Sequence, residues 1–152
     1  MKQRRRRRTE NRKAATERWQ VVCDHDRAYA YISAAYDFDR SEGFKGICQL
    51  KAGEVVGAVG YDTYNGQNIF MHVASDLSRK WATRHFIHEV FKYPFVTLGV
   101  QRVTCWIEED NRLSVALVRA LGFSPEAVLH KAGRDGQDVL IYRMFRQECR
   151  YA

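Results

Sequence analysis

From Trp19 to Phe145 the apolar residues keep changing period, and this succession of strand and helix patterns restricts the fold more than any single motif. Trp19–Cys23 reads as a short strand. Asp24 is a good N-cap, and Ala28, Tyr31, Ile32, Ala35 and Tyr36 then recur at helical spacing. A charged, Gly-containing loop over 37–43 ends that helix, and residues 44–51 and 54–61 are strand-like around an Ala52-Gly53 turn. Asn65-Gly66 is a strong short hairpin signal, and residues 68–74 leave it as a strand. Ser78 is the predicted N-cap of a second helix, whose stripe is Ala82, Phe86, Ile87, Val90 and Phe91 and which Pro94 closes. Arg102–Glu108 is the next strand. Asp110 or Asn111 caps a third helix with Leu113, Leu117, Val118 and Leu121 inward, and Gly122 ends it. Strands over 127–132 and 139–145 flank a turn at 133–136. The order β-α-β-β-β-α-β-α-β-β predicts an α/β fold, a mixed six- to seven-stranded sheet flanked by helices.

A chain of 152 residues fits one such domain. It can bury roughly two thirds of the surface it exposes unfolded, so it needs no disulfide or metal staple. The formal charge of +7 is local: residues 1–20 hold nine basic side chains against Glu10 and Glu17, which leaves the remainder formally neutral. The expected organisation is a basic, flexible tail over 1–18, with a short helix near its end, and one domain over 19–152. Cys23, Cys48, Cys105 and Cys149 are widely spaced without a CxxC pair, as reduced thiols would be. No apolar run follows the basic start, and none is long enough to span a membrane, so a cytoplasmic protein is expected.

Residues 72–126 carry a resemblance. Trp81-Ala82-Thr83 open a helix, Tyr93-Pro94-Phe95 with Leu98-Gly99 and Arg102 lead into a strand, and Asn111 and Ser114 open a helix ending in Leu121-Gly122-Phe123, with Glu126 beyond. This segment resembles the GNAT N-acetyltransferases, nearest the ribosomal-protein N-terminal acetyltransferases, and the element order extends the likeness to about 19–146. The resemblance implies acetyl-CoA as co-substrate and an amine as acceptor. It also implies a pyrophosphate site at the loop 75–83, where helix N-terminal N–H groups favour an anion. Ser78, Arg79, Lys80, Trp81, Ala82 and Thr83 are the candidates there. The family's loop has Gly where this chain has Lys80, and Arg or Gln where it has Leu77; Ala82 keeps a small residue. Asn111 and Ser114 are expected near the cofactor arm, and the Val73 N–H as the oxyanion donor.

Acetyl transfer needs a base near neutral pKa. His72 lies on the strand that borders the thioester in the family, and imidazole titrates in that range; a half-buried structural histidine is the other reading. Glu108, at the end of the next strand, is the second candidate, alongside a plain solvated strand end. Many GNAT enzymes carry a tyrosine acid at the position that is Val118 here, so water or another residue such as Tyr142 would serve. No cysteine has a nucleophile's setting, which favours direct transfer. His85 and His88, three apart, do not have zinc-site spacing. The resemblance implies an acceptor pocket from about 28–44, where Tyr31, Tyr36, Asp37 and Asp39 either suit a cationic amine or form a plain polar helix edge. Residues 2–13 suit a solvated extension with no specific role, nucleic acid or a ribonucleoprotein, or an anionic membrane surface. A non-catalytic module of the same fold, docking on nucleic acid through the tail, is the alternative function. A homodimer is compatible with the sequence.

Overall fold

The computed structural model describes residues 2–16, 18–78 and 81–152, with the side chains of all but 2 and 11–16. Trp19–Cys23 (β1) leads to α2 (His25–Ala35), and then to the meander β2 (Lys45–Lys51), β3 (Glu54–Asp62) and β4 (Asn68–Ser75). Helix α3 (Arg84–Lys92) precedes β5 (Arg102–Glu108). Helix α4 (Arg112–Leu121) connects β5 to the closing hairpin of β6 (Ser124–Leu129) and β7 (Val139–Phe145). The seven strands form one sheet in the order β1-β2-β3-β4-β5-β7-β6. Every pairing is antiparallel except β4 with β5. The sheet is therefore the mixed one expected, with the crossover through α3 supplying its parallel pair.

The two faces have separate cores. Helix α2 places Ala28 and Ile32 on Phe44, Cys48, Leu50, Ala58 and Ala74. The approach is close: a Cβ at Gly46 would stand 2.2 Å from Ala28 Cβ. On the other face Phe86, Val90 and Phe91 of α3 and Val118 and Leu121 of α4 join Val59, Met71, Val103 and Tyr142. Three local expectations are corrected. Ser78 does not cap α3: Thr83 does, accepting from Phe86 N at 3.2 Å, and the Ser78 N–H instead donates to Asp76 Oδ1 at 2.9 Å. Pro94 does not close the helix, because the chain widens into a π-helical turn over Tyr93–Thr97. A proline lacks the N–H that would bond Val90 O, and the buried Tyr61 hydroxyl donates to that carbonyl at 2.6 Å. The last hairpin starts at Ser124 rather than 127.

Before β1, Lys2–Thr16 forms α1, a helix of 15 residues, where the sequence reading expected a flexible start. Arg, Lys, Gln and Ala are strong helix formers, and over this length their propensity counts against charge repulsion. Residues 3–10 are exposed. Among the described residues no helix is long and apolar enough to cross a membrane.

Candidate active site

The site begins where β4 and β5 part. They pair only at Asn68–Arg102, Ile69–Val103 and Phe70–Thr104. Past that point β4 stays with β3 as far as Ser75, and β5 stays with β7 as far as Glu108. The closed end is clamped by Thr104 Oγ1 donating to Asn68 Oδ1 (2.6 Å) and by Arg102 Nε donating to Thr104 Oγ1 (3.1 Å). Beyond the clamp, the facing backbone edges have no strand partner. Interior N–H and C=O groups left this way need partners, and an extended amide-bearing ligand can supply them as a strand would.

Two cavities of about 480 and 470 Å³ occupy the opening and share Tyr36, Val73, Asn111, Ser114 and Leu117. The second runs towards Ser75, Leu77, Ser78 and Trp81. Trp81 is 7% exposed and lies on Gly57, where a Cβ would come within 2.4 Å of the indole. It is a core residue with one edge on the cavity. Thr83 is committed to structure as well: it caps α3, and its hydroxyl donates to Oε1 of the buried Gln49 at 2.9 Å. Neither Thr83 nor Ala82 lines either of these two cavities. Arg79 and Lys80 lie outside the described residues. Asn111 caps α4, accepting from Ser114 N (3.2 Å), and also lines both cavities.

The first cavity holds the titratable groups. His72 Nε2 stands 3.1 Å from Asp62 Oδ1, and Phe38 stacks on the imidazole with centroids 4.6 Å apart and planes 16° apart. Burial pushes the Asp62 carboxyl up, but the His72 contact and lesser hydrogen bonds from Thr63 and Ser41 more than offset it. The group lies below its ordinary range. An ionised carboxylate only accepts, so Nε2 carries the imidazole proton and Nδ1 the lone pair. Asp62 was not singled out in the sequence. The observed register pairs Asp62 with Phe70 and Gly60 with His72, so Asp62 and His72 are diagonal neighbours on one face, whereas a two-residue Asn65-Gly66 turn would have paired Asp62 with Ile69 and turned it to the other face. Glu108 also lines this cavity, and its Oε1 accepts from Arg134 N at 3.0 Å. Arg134 in turn pairs with Asp37 at 2.6 Å, joining the β6–β7 loop to the loop after α2. Asp37, Asp39, Asp62 and Glu108 face a single Lys or Arg side chain in the lining, Arg134, and Phe38, Phe70 and Trp106 supply aromatic wall.

No protein-family model matches the chain. It is similar to an uncharacterized N-acetyltransferase, p20, of Bacillus licheniformis, at 26% identity over 102 residues. The match takes in 62% of this chain and 57% of that protein, so the chain spans less than two thirds of the relative's length. Its fold superposes on mutant forms of the spermidine/spermine N-acetyltransferase SpeG from Vibrio cholerae with a TM-score of 0.69, at 13% identity, over 86% of this chain and 96% of that one. A dodecameric structure of the Vibrio cholerae spermidine N-acetyltransferase gives 0.65 at 14% identity, over 85% and 94%. The parted β4 and β5 and the helix that crosses between them agree with these structures: the chain has the GNAT acetyltransferase fold.

Proposed function

We propose that the protein transfers the acetyl group of acetyl-CoA directly to a cationic primary amine. One observation carries the reading: the unpaired edges of β4 and β5 open beside a His72–Asp62 pair inside a carboxylate-lined cavity. Acetyl-CoA would supply an activated thioester. The second cavity fits its slender amide arm, with Val73, Leu113 and Leu117 as apolar wall and Ser75, Ser78, Asn111 and Ser114 as polar contacts. Arg79 and Lys80 are proposed to meet its phosphates. His72 takes the proton of the attacking nitrogen at Nδ1, Asp62 holds the ring's tautomer and steadies its charged form, and the Val73 N–H faces the developing oxyanion. Burial pushes the Cys105 thiol far up, so a cavity-lining cysteine stays protonated and no acyl-enzyme is involved. Asp37 and Asp39 at the mouth, with Phe70 and Trp106, draw in an alkylammonium by charge and cation–π contact. The SpeG structures, whose protein acetylates spermidine and spermine, make polyamines the first acceptors to try. Calorimetry with acetyl-CoA, followed by mass spectrometry of spermidine and of a peptide amine, tests this. Absence of acetyl-CoA binding at millimolar ligand would overturn it.

A separate observation favours a partner for α1. Five consecutive arginines point to every side of the helix, residues 3–10 are exposed, and no apolar stripe is present to lie on a membrane. We propose that this helix holds nucleic acid or a ribonucleoprotein through phosphates, and that the free thiols fit a cytoplasmic setting. Binding to duplex RNA should weaken steeply with salt and vanish on deletion of 1–13. Binding that ignores salt would exclude it.

A further inference from the structure

Thioester cleavage leaves a thiolate that must take a proton, and α4 presents the buried, apolar Val118 to the cleft. Most tyrosines near the core are committed elsewhere. Tyr142 accepts from Arg119 Nε at 3.0 Å and lines neither cavity. Tyr61 donates to Val90 O, and Tyr29 to Phe38 O. Tyr36 is placed differently. It caps the C-terminus of α2, its own N–H closing the helix on Ile32 O while its backbone turns extended (φ −154°, ψ 150°). That turn brings its side chain to the junction of the two cavities, between the arms of the cleft. There it shares both cavities with Val73, and Cys105 of the opposite arm and Asp62 line the first of them.

We propose that the Tyr36 hydroxyl protonates the departing thiolate, taking the place of an acid that α4 does not carry. The assignment rests on the acetyl-transfer reading above. The neutral amine adds to the thioester carbon and passes its surplus proton to His72, while the carbonyl π pair moves onto oxygen. The Val73 N–H donates to that oxygen, and the Tyr36 hydroxyl turns its hydrogen towards the adjacent sulfur. When the intermediate collapses, the C–S bond breaks with its electron pair going to sulfur. The Tyr36 proton follows; the tyrosinate then regains a proton from solvent and the protonated His72 gives one up to it, which restores both groups. Burial first, then Cys105 and Asp62, hold this hydroxyl above the ordinary tyrosine range, so it is neutral before the thiolate forms.

The test uses the full chain with acetyl-CoA and spermidine, or the peptide amine if that is the one acetylated. Tyr36→Phe should lower kcat about a hundredfold while calorimetric acetyl-CoA affinity stays within about twofold. Replacing Tyr36 by a fluorinated tyrosine of lower phenol pKa should restore kcat near neutral pH and introduce a decline at alkaline pH, which a purely structural hydroxyl would not produce. Tyr36→Phe within about threefold of a working wild type, or a fluorotyrosine variant without the alkaline decline, would overturn the assignment alone. A wild type that acetylates neither amine would overturn the parent reading, and the assignment with it.

Discussion

The β4 arm and the β5 arm of the cleft each offer one candidate base, held in different ways. His72 has 18% of its side chain exposed, is paired with a carboxylate that is only 9% exposed, and is stacked under Phe38. Glu108 sits at a strand end, and its carboxylate meets the backbone of the exposed 133–136 turn. The first arrangement fixes tautomer, ring plane and counter-charge together. The second fixes one oxygen and depends on a loop that is itself tied down by an exposed ion pair, of a kind that contributes little, about 0–1 kcal/mol. A group that must accept a proton repeatedly in one geometry belongs on the first arm.

The largest expected effect follows directly. His72→Gln should lower kcat/KM at least a hundredfold, the lower end of the ~10²–10⁴ that a positioned base contributes, and remove the acidic limb of the pH–rate profile. A variant that keeps the limb would move the base to Glu108. Asp62→Asn comes next, at about tenfold in kcat, because an amide can donate to Nε2 and so stabilise the wrong tautomer. This variant also has a stability signature. A carboxylate held below its ordinary pKa stabilises the fold fully above about pH 4, its unfolded value, and that contribution disappears as pH falls through the lowered folded value. Wild type should therefore exceed Asp62→Asn in Tm near neutrality and converge with it in strong acid. Divergence that grows on acidification would mean that His72 does not hold Asp62 ionised.

The two arms were not equally legible in the sequence. Strand and helix order followed from period alone, because each buried face needed its own apolar spacing, and His72 and Glu108 fell on strands where expected. Asp62 went unremarked because its importance depends on cross-strand register, and Tyr36 was read as acceptor-pocket lining because its place beside β4 depends on how α2 ends. The start of α3 was misplaced because Ser78 and Thr83 are both good caps by composition. Only the tertiary contact of Thr83 with the buried Gln49 decides between them. Of the helix at Lys2–Thr16 only the later part was expected, because repulsion among the arginines was weighed above their propensity.

The closed end of the cleft can be weakened without touching either base. Thr104→Val removes a hydroxyl that donates to Asn68 and accepts from Arg102 at a buried position. It should destabilise the protein by about 1–3 kcal/mol, the cost of leaving buried partners unsatisfied, as read by urea unfolding. If β4 and β5 are held apart chiefly by their outer neighbours β3 and β7, the loss will be smaller and acetyl-CoA affinity unchanged.

Glu108→Gln is the smallest expected effect and the sharpest check on the comparison. The amide keeps an oxygen for the Arg134 N–H, so the loop should stay in place and the variant should fold as well as wild type. With His72 as base, kcat should change by less than about threefold, and the acidic limb should not move. KM for a cationic acceptor should rise modestly, because one of the four carboxylates lining its cavity is gone. A hundredfold fall in kcat at unchanged KM would reverse the ranking of the arms and make the His72–Asp62 pair a structural feature of β3 and β4. Assaying a neutral and a cationic acceptor side by side separates the two contributions: loss of attraction affects only the cation, whereas loss of a base affects both.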